Sequence, residues 1–110
     1  MDKKLLNEIN HLHAEICGGL SDPKRIAILY ALSEGSKNVM ELAEMLEMPQ
    51  PTVSRHLKIL RDRGMVIPER QGANIIYTLG DKRIIRALDL LREVLGDNLS
   101  KRSALADAIG

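Results

Sequence analysis

The sequence predicts a mainly α-helical domain carrying one small β-hairpin. Three observations carry that expectation. Most of the chain places apolar residues at helical spacing; two β-rich segments, MVIPER and NIIYTL, flank a Gln71-Gly72-Ala73 turn; and glycine, proline and capping residues punctuate the boundaries. A chain of 110 residues is most simply one domain, long enough to bury roughly two-thirds of its unfolded surface.

Residues 3 to 17 form the first expected helix. At about 100° per residue, Leu5, Ile9, Leu12 and Ile16 fall within about 60° of one another and are expected as a core stripe, with Leu6, His13 and Cys17 on its shoulder. Gly18-Gly19 is expected to break that helix. Ser21-Asp22-Pro23 joins capping side chains to a proline suited to the first helical position. The helix it starts carries Ile26, Ile28, Leu29 and Leu32 and ends near Glu34-Gly35. Lys37-Asn38-Val39 reads as a short extended segment, and Met40 to Glu47 is helical again with Leu42, Ala43 and Leu46 inward. Met48-Pro49 is a tight connection. Pro51 sits in the first turn of the next helix, which runs through Arg63 and stops at Gly64.

Pro68 cannot donate to a ladder, so MVIPER is expected as an edge strand. Asp81 caps a final long helix with Ile84, Ile85, Leu88, Leu91 and Leu95 on its apolar stripe. The end, DNLSKRSALADAIG, is weakly patterned: it extends that helix, forms a short one, or frays. Residues 1–97 are thus expected as the folded unit and residues 98–110 as an extension or tail. Two short helices joined by a tight turn, followed by a hairpin, make a winged helix-turn-helix.

The core has to be aliphatic, because the chain has no Phe or Trp and only Tyr30 and Tyr77 carry aromatic rings. Met40, Met45, Met48 and Met65 read as gap-fillers in such a core. A single cysteine, Cys17, excludes an internal disulfide and fits a reducing compartment. MDKKLLNEIN mixes charges, so no signal peptide is expected there, and no apolar run approaches the ~20 residues that span a bilayer. A cytoplasmic domain is the expectation. The net charge of +1 gives no global pull towards nucleic acid. Locally the balance shifts: residues 50 to 74 carry +3, whereas residues 36 to 49 carry −2.

The 50–63 helix has two distinct sides. Leu57 and Leu60 lie within about 40° of Val53 and define the inward side. Ser54, Arg55, Lys58, Pro51 and Asp62 lie about 100–200° away, with Gln50 and Thr52 flanking the exposed start. A helix that reads the major groove needs such a face: Gln pairs with adenine, Arg with guanine, and Ser or Thr with base edges or phosphates. His56 falls at the edge of the inward side, where packing or a structural hydrogen bond within the motif accounts for it better than base contact, catalysis or metal binding does.

SDPKRIAILYAL, ELAEMLEMPQPTVSRHLKILRDRGMV and RQGANIIYTL together resemble the ArsR/SmtB family of winged-helix repressors, over about residues 5 to 95. The resemblance implies a homodimeric, sequence-specific DNA-binding repressor whose first and last helices pair. Leu5, Leu6, Ile9, Leu88, Leu91 and Leu95 would form that interface. It implies an imperfect inverted repeat in double-stranded DNA as the partner. Gln50, Thr52, Ser54 and Arg55 are similar to the family's base-reading or groove-edge residues, Lys58 to a phosphate contact, and Arg70 to a wing residue reaching a minor groove or the backbone.

The family's familiar sensor sites are absent. NVMELAEML has no cysteine pair, DKRIIRALDLLREVLGDN has Asp81, Asp89 and Asp97 but no histidine, and a dithiol switch needs two cysteines. His13 and Cys17, four apart on one face, are the residual metal candidates, needing completion across a dimer. Interface packing accounts for them better, and Cys17 alone is otherwise a candidate oxidation switch or cross-dimer disulfide. No cofactor and no catalytic residue is expected: there is no phosphate-binding glycine loop, and Ser54 and His56 point about 160° apart. The alternative to a DNA reader is a winged-helix protein-interaction module.

Overall fold

The computed structural model describes residues 1–109. α1 (Lys3–Leu12) starts on Asp2, whose carboxylate accepts from the Lys4 N–H at 3.1 Å. A single π-helical turn, His13–Cys17, follows. Gly18-Gly19 does not break the helix as expected. Gly18 stays right-handed (φ −59°, ψ −40°), and helical backbone continues through Gly19. Glycine serves a close approach there instead: a Cβ on Gly19 would stand 2.6 Å from Met65 Sδ and 3.2 Å from Arg63 Cδ.

α2 (Pro23–Ser33) begins where Ser21-Asp22-Pro23 indicates, with Asp22 accepting from the Lys24 N–H at 2.8 Å. α3 (Val39–Leu46) opens on a reciprocal capping box between Asn38 and Glu41. It closes through left-handed Glu47 (φ 53°), where the Met48 N–H donates back to the Ala43 carbonyl. That turn and extended Pro49 lead directly into α4 (Gln50–Asp62). β1 (Val66–Gln71) and β2 (Asn74–Leu79) pair antiparallel from Val66↔Leu79 to Gln71↔Asn74. The two-residue turn between them uses positive φ at Gly72 (62°).

Pro68 lies opposite Tyr77, whose N–H and carbonyl both bond to Lys37 on the other side. Pro68 therefore leaves no gap in the ladder, and the expected extended segment at Lys37 is a one-residue third strand. α5 (Arg83–Ile109) runs unbroken for 27 residues, so the C-terminal segment extends it.

The core joins Ile28, Leu29 and Leu32 of α2, Leu42 of α3, Val53, Leu57 and Leu60 of α4, Met65 and Val66 at the hairpin entry, and Leu88 of α5. Each such side chain contributes about 1.5–3 kcal/mol by burial. α1 adds none to it: Leu5, Leu6, Ile9 and Leu12 are all exposed. The sequence places this stripe in the core, but among the described residues none covers it. The radius of gyration of 17.4 Å exceeds the roughly 13 Å of a compact chain this long, as α1 and α5 project from the body. The fold is a winged helix-turn-helix, and none of its described helices is long and apolar enough to cross a membrane.

Candidate nucleic-acid interface

α4 presents the two sides that its sequence indicates. Val53, His56, Leu57 and Leu60 are buried, whereas Gln50, Ser54, Arg55 and Lys58 are exposed and Thr52 is half-buried. The exposed group occupies the first two and a half turns, on the side opposite the buried Val53, Leu57 and Leu60. Arg70 is exposed on β1, two residues before Gly72. Among the described residues, Arg55, Lys58 and Arg70 take part in no ion pair, whereas Arg61 is held by Asp62 at 3.4 Å. Three cations without internal partners leave their charge for an external anion.

The start of α4 and the wing tip frame a common cleft of about 360 Å³. Gln50 and Ser54 line one wall, Ala73, Asn74 and Ile75 the other, and Asn38 and Met40 at the start of α3 its end. A wider cleft of about 670 Å³, between the ends of α2 and β2 and the start of α5, contains none of the expected contact residues.

Behind the exposed face lies a polar knot that sequence reasoning missed. Arg25 is buried, and its guanidinium reaches four partners at once. Nε donates to the Gly19 carbonyl at 2.8 Å, and Nη2 donates to the Gly18 carbonyl and to Ser21 Oγ, each at 3.3 Å. Nη1 lies 3.2 Å from His56 Nδ1, and His56 Nε2 is 3.9 Å from the Asp22 carboxylate. Burial pushes the His56 pKa below its ordinary 6.5; Arg25, Arg55 and Lys24 act in the same direction and Asp22 opposes them. The backbone N–H of Lys24 is the main cause holding the Asp22 carboxyl below its usual range. His56 is thus the structural residue that its position at the edge of the inward side indicates. The overlooked signal for Arg25 was spacing, because it heads the buried stripe Arg25, Ile28, Leu29, Leu32 at i, i+3, i+4 and i+7.

Of the expected interface residues, Leu5, Leu6, Ile9, Leu91 and Leu95 are exposed on α1 and α5. Leu88 is a correction: it is only 6% exposed, one of the core residues packed within the single chain. The α5 stripe turns as it leaves the body, so its first half seals the core and only its later residues face outward. His13 and Cys17 are both exposed on the π turn, and no group of three or more His, Cys, Asp or Glu residues among those described is placed to hold a metal.

Comparison with known proteins places this geometry. A family model described as "Bacterial regulatory protein, arsR family" matches residues 22–67, from the α2 cap to the second residue of β1. The HTH-type transcriptional repressor SmtB of Mycobacterium tuberculosis is 43% identical over 77 residues, 70% of this chain and 57% of that protein. The chain therefore spans little more than half the length of that relative. The uncharacterized HTH-type transcriptional regulator MJ1325 of Methanocaldococcus jannaschii is 38% identical over 82 residues, 74% of this chain and 92% of that protein. The homodimeric winged helix-turn-helix DNA-binding domain of Mb0332 from Mycobacterium bovis superposes with a TM-score of 0.77 at 23% identity, covering 92% of this chain and 93% of that one. Both the sequence and the three-dimensional arrangement agree, and the chain belongs to the arsR family of bacterial regulatory proteins.

Proposed function

We propose that the chain is a sequence-specific, DNA-binding transcriptional repressor that acts as a homodimer in the cytoplasm, not an enzyme. The observation that carries this reading is the pairing of an exposed Gln50–Ser54–Arg55–Lys58 face with Arg70 on the adjacent wing, its three cations in no ion pair among the described residues. Gln50, Thr52, Ser54 and Arg55 read base edges in the major groove, Lys58 holds a phosphate, and Arg70 reaches the flanking groove or backbone.

Two quantities support a dimer. The chain exposes 7910 Å², against about 6100 Å² for a compact monomer of its mass. The excess includes apolar side chains of α1 and α5, among them Leu5, Ile9, Leu91 and Leu95. Burying those stripes against a second copy sets two α4 helices in successive major grooves about 34 Å apart, so the operator is an imperfect inverted repeat. On this reading residues 1–97 are the DNA-binding and dimerising unit and residues 98–110 its extension.

The test is fluorescence anisotropy with DNA from upstream of the protein's own gene, beside a scrambled duplex of equal length. Preference for the native duplex at physiological salt is the expected result. Equal, weak binding to both that vanishes with salt reduces the interaction to phosphate attraction and overturns the reading.

A further inference from the structure

A reading face is useful only if its helix is held at a fixed angle to the dimer, and that hold comes from the helix's inner side. On α4 the inner side carries one polar residue, His56, and it meets Arg25, the buried charged side chain of the core. Arg25 bonds on its other edges to the carbonyls of Gly18 and Gly19, where the helix begun as α1 ends. One guanidinium therefore connects the expected dimerising helix to the expected reading helix.

The chemistry of that connection is directional. A guanidinium only donates, so His56 Nδ1 accepts and the ring proton sits on Nε2, the nitrogen facing Asp22. A second proton, placed on Nδ1, would set N–H against N–H and one cation against another at 3.2 Å. Of the charged groups around the ring, Asp22 favours the extra proton, while Arg25 and Lys24 from α2 and Arg55 from α4 itself oppose it. The α3 and β1 residues buried beside α4, namely Leu42, Ala43 and Val66, carry no charge.

We propose that Arg25 is a positioning residue: through His56 it holds the reading face of α4 in register with α1, and protonation of His56 releases that hold, so DNA binding weakens in acid. The proposal rests on the DNA-binding reading above and adds to it a specific pH response. Burial keeps His56 below its ordinary 6.5, which places the release on the acid side of that value.

The experiment has two arms on the full chain. In the first, amide NMR shifts are followed from pH 8 downwards. Gly18, Gly19 and residues Ser54 to Lys58 are expected to move together with the His56 ring through one midpoint below 6.5. In His56→Gln, whose side-chain oxygen accepts from Arg25 without titrating, they are expected to stay still. In the second arm, affinity for the preferred duplex is expected to fall on the order of tenfold in the parent through that midpoint, the scale of one lost charged hydrogen bond, and to stay flat in His56→Gln. Arg25→Lys at pH 8, still dimeric by light scattering, is expected to bind native and scrambled duplexes alike. Identical pH profiles for parent and His56→Gln, or parent-like discrimination by Arg25→Lys, overturn the proposal. If Arg25→Lys does not fold, the His56→Gln profile decides alone. A parent that prefers no duplex sinks the DNA reading, and the NMR arm still decides whether Arg25 and His56 couple the two helices.

Discussion

The Tyr30 hydroxyl donates to the Asp89 carboxylate at 2.7 Å, tying the middle of α2 to the first half of α5. Arg92 completes the junction, 3.3 Å from the same carboxylate oxygen and 5.2 Å above the Tyr30 ring. Tyr30→Phe keeps the ring and the cation over it but loses the hydrogen bond. The expected cost is on the order of 1 kcal/mol, read as a lowered melting temperature by circular dichroism. An unchanged melt would show that the ring contact alone holds α5.

Gly19 tests the seat of the first helix. Gly19→Ala drives a methyl group into Met65 Sδ and is expected to destabilise by about 1–3 kcal/mol, as overpacking does. Met65→Ala removes the obstacle, so the double variant is expected to lose less than the sum of the two singles in a denaturant titration. Strict additivity would mean that the two residues do not meet.

Leu88 and Leu91, three residues apart on α5, are expected to fail differently. Leu91→Asp places charge on the outward stripe, and the outcome is a folded monomer by light scattering. Leu88→Asp buries an unpaired carboxylate in the single-chain core and unfolds the protein at any concentration. A folded dimer carrying Leu91→Asp would put the interface elsewhere.

On the DNA side, Arg55→Ala is expected to cost about 1–3 kcal/mol on the preferred duplex and to relax discrimination there. Lys58→Ala is expected to weaken all duplexes similarly and to flatten the salt dependence by about one unit of slope. Parent-like binding by both would remove this side of α4 from the interface.

Asp81 gives an acid-side signature at the start of α5. Arg83 bonds to it through both side chain and backbone, and these contacts hold its carboxyl down at about 2 instead of 3.8. The depressed pKa means that its stabilising contribution is present above 3.8 and is lost as pH falls through about 2. Asp81→Asn is expected to melt below the parent at neutral pH, with the gap closing towards pH 2. A gap independent of pH would assign the effect to something other than this charge.

Where local chemistry sets the structure, it was legible. Asp22-Pro23 and Gly72 mark a helix start and a turn by the backbone conformations that they favour, and Val53, Leu57 and Leu60 show the buried side of α4 by spacing alone. What escaped depends on partners distant in sequence. Gly18-Gly19 signals equally a helix break or a site where another segment approaches, and only the position of Met65 decides between them. The role of Arg25 is hidden in the sequence because its acceptors, the Gly18 and Gly19 carbonyls and His56, come together only in the fold. Leu88 and Leu91 belong to one periodic pattern, yet the pattern does not say where α5 leaves the body.

The π turn at His13–Cys17 absorbs one residue. Its five residues cover about the same angle as four residues of an α-helix, so the stretches on either side keep the phase they would have with one residue fewer between them. Deleting a single residue between positions 13 and 17 would therefore turn the segment into ordinary α-helix and leave Leu5, Ile9 and Leu12 facing nearly as they do, whereas a deletion within α1 itself would swing the residues before it by about 100°. This turn is thus the one stretch of the first helix whose length can change by a residue without re-aiming the apolar stripe.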